Sequence, residues 1–353
     1  MTAWVLFLTP VLVLPIILLF RFVGCAQIAG ISEAGEPTPP EPSATQTGPG
    51  LIGTPAPPTP PVQPPTTPPN YRKYILGDTN NPGQVKNPGV KPDKANVVAY
   101  WRLVDAPGDI AAKDEIGFRN GQYVQGVALD NVNPQPTPPP TAKGGSQAAT
   151  GDILTGQNGL IKSDPGALGR YFNGGYVRVP FLAGLYTEDF TIEAWVVAHA
   201  FTPNYEHTLF QAGGRYAIPP AGPLDHGFRV FENRFGQWQI RLAPATVDLF
   251  QSPPLVPRSA LTHIAITVES QASPVGSKKV TLYVDGKITQ IAVASAYSLP
   301  LNADLFIGVE NTALPTAATA LPRTPVLARI QEVVLHRKAL TSEEIENHVD
   351  INR

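Results

Sequence analysis

The sequence GRYFNGGYVRVP at residues 169–180, followed by DFTIEAWVV at residues 189–197, decides the fold class of this chain. In the first segment Val177 and Val179 share one side. In the second, the residues that share one side are all apolar: Phe190, Ile192, Ala194 and Val196. This alternation with a period of two residues is typical of half-buried antiparallel strands, which have one buried face and one solvent-exposed face. We therefore expect an antiparallel sheet protein.

Further segments with this pattern follow one another along the chain. The segment VVAYWRL at residues 97–103 is rich in β-branched and aromatic residues, which favour strands. The segment VTLYVDGKI at residues 280–288 predicts a hairpin, because Asp285 and Gly286 suit a type I′ turn with positive φ at both central residues. The other predicted strands cover residues 208–211, 227–231, 237–242, 261–268, 305–308 and 329–336. Thr341 and Glu344 have the spacing of a capping box, which predicts a short helix ending near His348.

In this order, the segments resemble the strands of laminin G-like (concanavalin A-like) jelly-roll domains. The terminal strand, the Ala-Leu link after it and the capped helix add to the resemblance, which covers roughly residues 95–349. It implies an all-β fold, an antiparallel jelly-roll β-sandwich with a short C-terminal helix, over residues 95–353.

The N-terminal residues 1–25 are predicted to attach the chain to a membrane. Residues 4–20 are apolar apart from Thr9, a run longer than the core of a usual signal peptide and shorter than a spanning helix. Gly24-Cys25 follows, and this pair resembles a bacterial lipoprotein signal, in which the cysteine is acylated. The alternatives are a retained single-pass anchor and an incidental cysteine at a membrane boundary. We expect a location in the cell envelope or at the cell surface.

Residues 26–94 are predicted to be a largely disordered linker. Residues 37–69 contain 14 prolines among small and polar residues. Such a segment buries too little apolar surface to fold and favours the extended polyproline II conformation. Residues 70–94 show no clear periodicity. The linker is therefore expected to hold the domain away from the membrane.

Charge and motif spacing argue against several classes of function. The formal net charge is −2 and no run of Lys and Arg occurs, so we expect no nucleic-acid partner. Related glucanases use Glu-x-Asp-x-x-Glu on one strand, whereas Glu193 has no second carboxylate at +2 or +4. The histidines lie on separate segments without the spacing of zinc ligands, and His263 is interpreted as a structural residue. We expect no catalytic residues.

The resemblance implies one cofactor, calcium, which such jelly rolls hold with carboxylate and carbonyl oxygens at converging loops. The candidate ligands are Asp105, Asp114, Asn173 and Glu332. Flat rings with polar neighbours suit stacking on sugars. The candidate ligand-binding residues in or near the loops between positions 202 and 238 are Tyr205, Tyr216, Arg234, Phe235 and Trp238.

Three functions are compatible with these features. We favour a non-catalytic, surface-displayed recognition module that binds carbohydrate or a surface protein. One alternative is a structural subunit of a cell-surface assembly, for which exposed sheet edges and a near-neutral charge would suffice. The other alternative is a jelly-roll glycan hydrolase or lyase whose site escapes motif analysis.

Overall fold

The computed structural model describes residues 70–77, 85–87, 89–125, 152–164, 167–198, 206–213, 226–233, 237–244, 260–300, 302–311 and 322–352. All of them belong to one compact unit, Val62–Arg353. The predicted membrane segment with Cys25 and the proline-rich stretch at 37–69 lie outside the described residues. No helix among the described residues is both long enough and apolar enough to cross a membrane.

The described residues form mostly strands. There are two α-helices among them: α1 (Tyr71–Ile75) comes before the first strand in the sequence, and α2 (Ser342–Asp350) follows the last one. The strands are β1 (Val97–Trp101), β2 (Ala111–Ala112), β3 (Gly121–Val124), β4 (Asp152–Asn158), β5 (Leu168–Asn173), β6 (Tyr176–Val179), β7 (Phe190–Ala198), β8 (His207–Ala212), β9 (Phe228–Glu232), β10 (Trp238–Leu242), β11 (Thr262–Ser270), β12 (Lys278–Val284), β13 (Lys287–Ala294), β14 (Leu305–Ile307), β15 (Glu310–Asn311), β16 (Pro322–Arg323) and β17 (Leu327–His336).

Fifteen of the strands build two packed antiparallel sheets, and β15 pairs with β16 separately. The larger, eight-stranded sheet has the order β13-β12-β11-β7-β17-β5-β4, with β1 paired to β17. The smaller, seven-stranded sheet has the order β10-β9-β8-β14-β6-β3-β2. A continuous apolar core joins residues of the larger sheet, such as Ile192 and Ile266, to residues of the smaller one, such as Phe210 and Val230. This arrangement confirms the predicted jelly-roll β-sandwich.

The turn and the capping box follow the sequence rules. Asp285 and Gly286 have φ values of 52° and 79°, as a type I′ turn requires. The Glu344 amide donates to Thr341 Oγ1 over 3.3 Å, and the Thr341 amide donates to the Glu344 carboxylate over 2.9 Å. Both predictions are confirmed, and α2 continues to Asp350, two residues beyond the predicted end.

The outer face of β7 is buried, which corrects the expectation that one face of this strand is exposed to solvent. Eight of the nine residues of β7 are buried. Trp195 and Val197 on the outer face pack into a second apolar cluster with residues from both helices, including Tyr71, Ile75 and Val349. The two helices therefore cover the outer face of the larger sheet.

The predicted domain boundary at residue 95 is wrong. Tyr71 and Ile75 of α1 are 0% and 1% exposed. The Asn87 amide donates to Asn347 Oδ1 over 2.9 Å, and Asn347 Nδ2 donates back to the Asn87 carbonyl over 2.9 Å. Residues 70–77 and 85–87 thus belong to the folded unit. They bury apolar side chains despite their weak periodicity.

Candidate functional site

One row of residues crosses six of the seven strands of the smaller sheet. Its members are cross-strand neighbours from β3, β6, β14, β8, β9 and β10. In that order they are Gln122, Arg178, Phe306, Gln211, Arg229 and Arg241, here called the cross-strand row. The residues beside them along the strands, including Val177, Leu305 and Val230, point into the core. Because side chains alternate along a strand, the cross-strand row lies on the outer face of the sheet.

The fifth member of the row is a buried arginine with partners on several sides. Arg229 is 0% exposed, and its guanidinium lies 4.2 Å from the ring centre of Phe231. It donates to Thr208 Oγ1 over 2.9 Å and to Glu206 Oε2 over 2.7 Å. Glu310 Oε2 lies 3.3 Å from its Nη2 atom. Two carboxylates therefore share one guanidinium, which offsets part of their charge and orients both of them.

The β3–β6 end of the row is open to solvent. Gln122 is exposed, and the Arg178 side chain is 50% exposed. Arg178 Nε donates to Asp304 Oδ2 over 2.5 Å. Beside it, the rings of Tyr176 and Phe306 lie 5.9 Å apart at an angle of 52°. An amide, a guanidinium–carboxylate pair and a partly exposed aromatic ring thus meet at this end, which we call the open end of the row.

The predicted sugar-stacking residues do not meet at one site in the described structure. Trp238 begins β10, is 3% exposed and belongs to the core between the sheets. A ring buried in this way offers no face to a sugar, so the prediction is corrected for Trp238. The other four candidates lie outside the described residues: Tyr205, Tyr216, Arg234 and Phe235.

Two of the predicted calcium ligands organise the loops after β1. Asp114 is 6% exposed, and its carboxylate accepts from four backbone amides, those of Tyr100, Ile116, Phe118 and Arg119. Asp105 Oδ2 accepts from the Tyr123 hydroxyl over 2.7 Å. These carboxylates already have protein donors, so both have a structural role in the loops.

The other two candidates lie in the larger sheet. Glu332 has a φ of 54° within an irregular part of β17, and it accepts from the Tyr100 hydroxyl and from Arg102 Nε, the latter over 3.2 Å. Burial raises the pKa of the Glu332 carboxyl to about 7, against the opposing charge of Arg102 and the hydrogen bond from Tyr100. Asn173 is 2% exposed and ends β5.

These four residues do not fit one calcium site. The carboxylates of Asp105, Asp114 and Glu332 accept from three different sets of protein donors. Arg102 places a positive charge beside Glu332, where calcium would have to bind. Calcium binding by this chain stays a prediction without assigned ligands.

A buried acidic residue with three histidines lies on the opposite side of the sandwich. Glu193 of β7 is 0% exposed. Its Oε1 atom lies 3.0 Å from Nε2 of His336 and 2.9 Å from Nδ1 of His348, and its Oε2 atom lies 3.2 Å from Nε2 of His263. We call these four residues the Glu193 cluster. It joins β7, β11, β17 and α2.

The charge state of the cluster follows from its partners. Burial alone would raise the pKa of the Glu193 carboxyl, but the charge of His348 and the contacts with His263, His336 and His348 outweigh this effect. Together they hold the pKa well below its usual value. Burial lowers the pKa of His336, although Glu193 opposes this shift. The carboxylate is therefore kept ionised without solvent.

Motif spacing missed the Glu193 cluster because each histidine comes from a different segment. One signal was present in the sequence. Apart from Thr191, Glu193 is the one polar residue of a strand that is otherwise apolar, and a charge in a buried strand needs a buried partner.

Comparison with known families places the fold. Residues 172–346 match the family model described as the concanavalin A-like lectin/glucanases superfamily. The superfamily name covers both lectins and enzymes, so the match leaves open whether the chain is catalytic. No curated protein sequence matches the chain.

Several solved structures are similar over most of this chain. Domain 4 of AbnA, an extracellular arabinanase from Geobacillus stearothermophilus, in complex with arabinotriose, is 18% identical with a TM-score of 0.46, covering 73% of this chain and 98% of that chain. Trypanosoma rangeli sialidase is 15% identical with a TM-score of 0.44, covering 78% of this chain and 36% of that chain. The receptor-binding domain of botulinum neurotoxin type G is 12% identical with a TM-score of 0.42, covering 72% of this chain and 51% of that chain.

Proposed function

We propose that the protein is a non-catalytic recognition module that binds carbohydrate at the open end of the cross-strand row. The observation that carries this proposal is the meeting of Gln122, the Arg178–Asp304 pair and the Tyr176 ring on one outward face. Sugars offer adjacent hydroxyl groups that suit an amide or a paired guanidinium and carboxylate. They also offer apolar C–H faces that pack on rings.

The rigidity of this face supports binding. Arg178 is fixed by Asp304, which also accepts from the Phe181 amide over 2.9 Å. Polar groups that are held in place before binding lose less conformational freedom when a ligand arrives. The exposed end of the row supplies contacts, while the buried part around Arg229 stabilises the sheet.

Hydrolysis is the second candidate function, and one observation favours it. Glu206 and Glu310 lie on either side of the Arg229 guanidinium, and glycosidases use a pair of carboxylates about 5–9 Å apart. Both carboxylates here are engaged by the same cation. Glu310 is also 2% exposed, so it offers little surface to a substrate. We therefore assign this pair a structural role.

A glycan array probed with the full-length protein in mild detergent tests the proposal. It is run with and without calcium, and the bound glycans are analysed afterwards for cleavage products. We expect selective binding without products, and Arg178→Ala should lose the signal. Arg72→Ala is the matched control, because Arg72 is similarly exposed and ion-paired but lies on α1.

Each other outcome contradicts the proposal in its own way. Release of sugar products would favour the hydrolase. No binding to any glycan would favour a structural subunit or a module that recognises protein. Equal loss of signal in both arginine variants would show that binding does not depend on the open end of the row.

We further propose that the domain is displayed outside the cell on the proline-rich linker, attached through acylated Cys25. The support comes from the sequence alone, in the apolar run at residues 4–20 and the Gly24-Cys25 pair. A recognition module that is attached in this way contacts large ligands, such as glycans, at the cell surface.

A further inference from the structure

The donor atoms of the Glu193 cluster have the chemistry of a transition-metal site. Among the residues that the structure describes, the donor atoms of Glu193, His336 and His348 lie within 4.8 Å of one another. Two imidazole nitrogens and one carboxylate oxygen form a ligand set that suits zinc. Zinc binds such atoms at about 2.0–2.2 Å, which places neighbouring donors about 3.2–3.5 Å apart. Small movements of the carboxylate would bring the present 2.9 and 3.0 Å separations into that range.

His263 adds an independent observation. It is 0% exposed, and neither of its ring nitrogens makes a hydrogen bond. Its Nε2 atom nevertheless lies 3.2 Å from Glu193 Oε2. Buried polar atoms normally have partners, so a buried imidazole that faces a carboxylate at an angle unsuitable for hydrogen bonding needs a reason. A cation held by the same carboxylate provides one.

The surroundings are those of a closed site. The rings of Tyr71 and Tyr74 pack edge-on against His348, with centres 6.4 and 5.9 Å away. Trp195 lies 5.0 Å from the His263 ring. Structural metal sites are closed in this way, whereas catalytic sites keep a position open to substrate.

We propose that Glu193, His336 and His348 bind a divalent transition-metal ion, zinc, beside His263, and that this ion fastens α2 to the larger sheet. The site lies on the side of the sandwich opposite to the open end of the row and is independent of carbohydrate binding. Because the side chains are buried, the ion enters while the domain folds.

The test uses the untagged full-length protein and needs no known ligand. Metal content is measured after purification without chelator. The protein is then unfolded in the presence of chelator and refolded with zinc, with cobalt or without metal. We expect about one zinc per chain and an unfolding midpoint several degrees higher with zinc. Cobalt should give the visible absorption of a four- or five-coordinate site.

Two variants assign the metal to these residues. Glu193→Gln keeps the size of the side chain but removes the anionic ligand, and His348→Gln removes a nitrogen ligand. Both should lose the bound zinc and the zinc-dependent rise of the midpoint. His207→Gln is the matched control, because His207 is 5% exposed and lies on the smaller sheet. It should keep both.

The proposal is overturned if the wild-type protein carries no zinc, gives no cobalt absorption and unfolds at the same temperature with and without metal. It is equally overturned if Glu193→Gln still binds about one zinc per chain. If a variant fails to fold, the metal content and the cobalt spectrum of the wild-type protein decide the question alone.

Discussion

Glu193 Oε1 of β7 and His348 Nδ1 of α2 lie 2.9 Å apart, although 155 residues separate them in the chain. This contact joins the centre of the larger sheet to the C-terminal helix. Because both side chains are buried, breaking this contact would remove one of the three histidine partners of a buried carboxylate. The helix is therefore part of the fold, and its own stability affects the whole domain.

The first prediction concerns the cap of α2. Thr341→Ala should lower the free energy of unfolding by about 1 kcal/mol, because Thr341 Oγ1 accepts from the Glu344 amide at the start of the helix. Denaturant titration measures the change. Thr341→Ser keeps the hydroxyl and should retain most of the stability. A loss of the same size in both variants would show that the cap is not the cause.

The second prediction concerns α1 and the corrected domain boundary. Ile75 is 1% exposed and packs in the cluster with Trp195, so Ile75→Ala should cost about 2–5 kcal/mol. Ile110→Ala is the control, because Ile110 is 81% exposed, and it should change stability by less than about 0.5 kcal/mol. Similar stabilities of the two variants would mean that residues 70–77 do not belong to the folded unit.

The third prediction concerns pH. The pKa of Glu332 is raised from 4.5 to about 7, so the folded state holds this proton more tightly than the unfolded chain. The stabilisation is therefore complete below pH 4.5 and is lost as the pH rises through 7. A shift of this size corresponds to roughly 3 kcal/mol.

Glu332→Gln isolates this contribution, because glutamine stays neutral. In denaturant titrations, the free energy of unfolding of the wild-type protein should fall relative to that of the variant by roughly 3 kcal/mol between pH 4.5 and pH 8. A difference that stays constant over this range would show that Glu332 does not titrate as described.

The fourth prediction concerns the tether. Cells fed a labelled fatty-acid analogue should label the wild-type chain, and Cys25→Ser should carry no label and remain unprocessed. Cys25 is the chain's single cysteine, so no other thiol can take the label. An unlabelled wild-type chain with the same electrophoretic mobility as the variant would favour the retained anchor.

Local rules predicted the parts of the fold that depend on neighbouring residues. The Asp285-Gly286 turn and the Thr341 cap each need only a few adjacent residues, and both were read correctly from the sequence. Helix α1 escaped prediction because five residues carry too little periodicity. The prediction that Trp238 stacks on sugars is wrong because proximity to a loop in the sequence does not mean exposure. Trp238 begins a strand, and its side chain lies in the core.

The two sites depend on contacts between distant segments. The cross-strand row exists because β3, β6, β14, β8, β9 and β10 pair in that order, and this order is not the order of the sequence. The Glu193 cluster similarly needs the register of β7 against β11 and β17 together with the docking of α2. The spacing of residues within one segment carries no information about contacts between segments that are far apart in the sequence.

The fifth prediction is the most direct test of the proposed carbohydrate site. For the glycan that gives the strongest array signal, calorimetric titration should show a dissociation constant at least about 10-fold higher for Arg178→Ala than for the wild-type protein, as expected for the loss of hydrogen bonds from a charged group. Arg72→Ala should bind like the wild-type protein. A dissociation constant unchanged by Arg178→Ala would contradict the assignment of carbohydrate binding to the open end of the row.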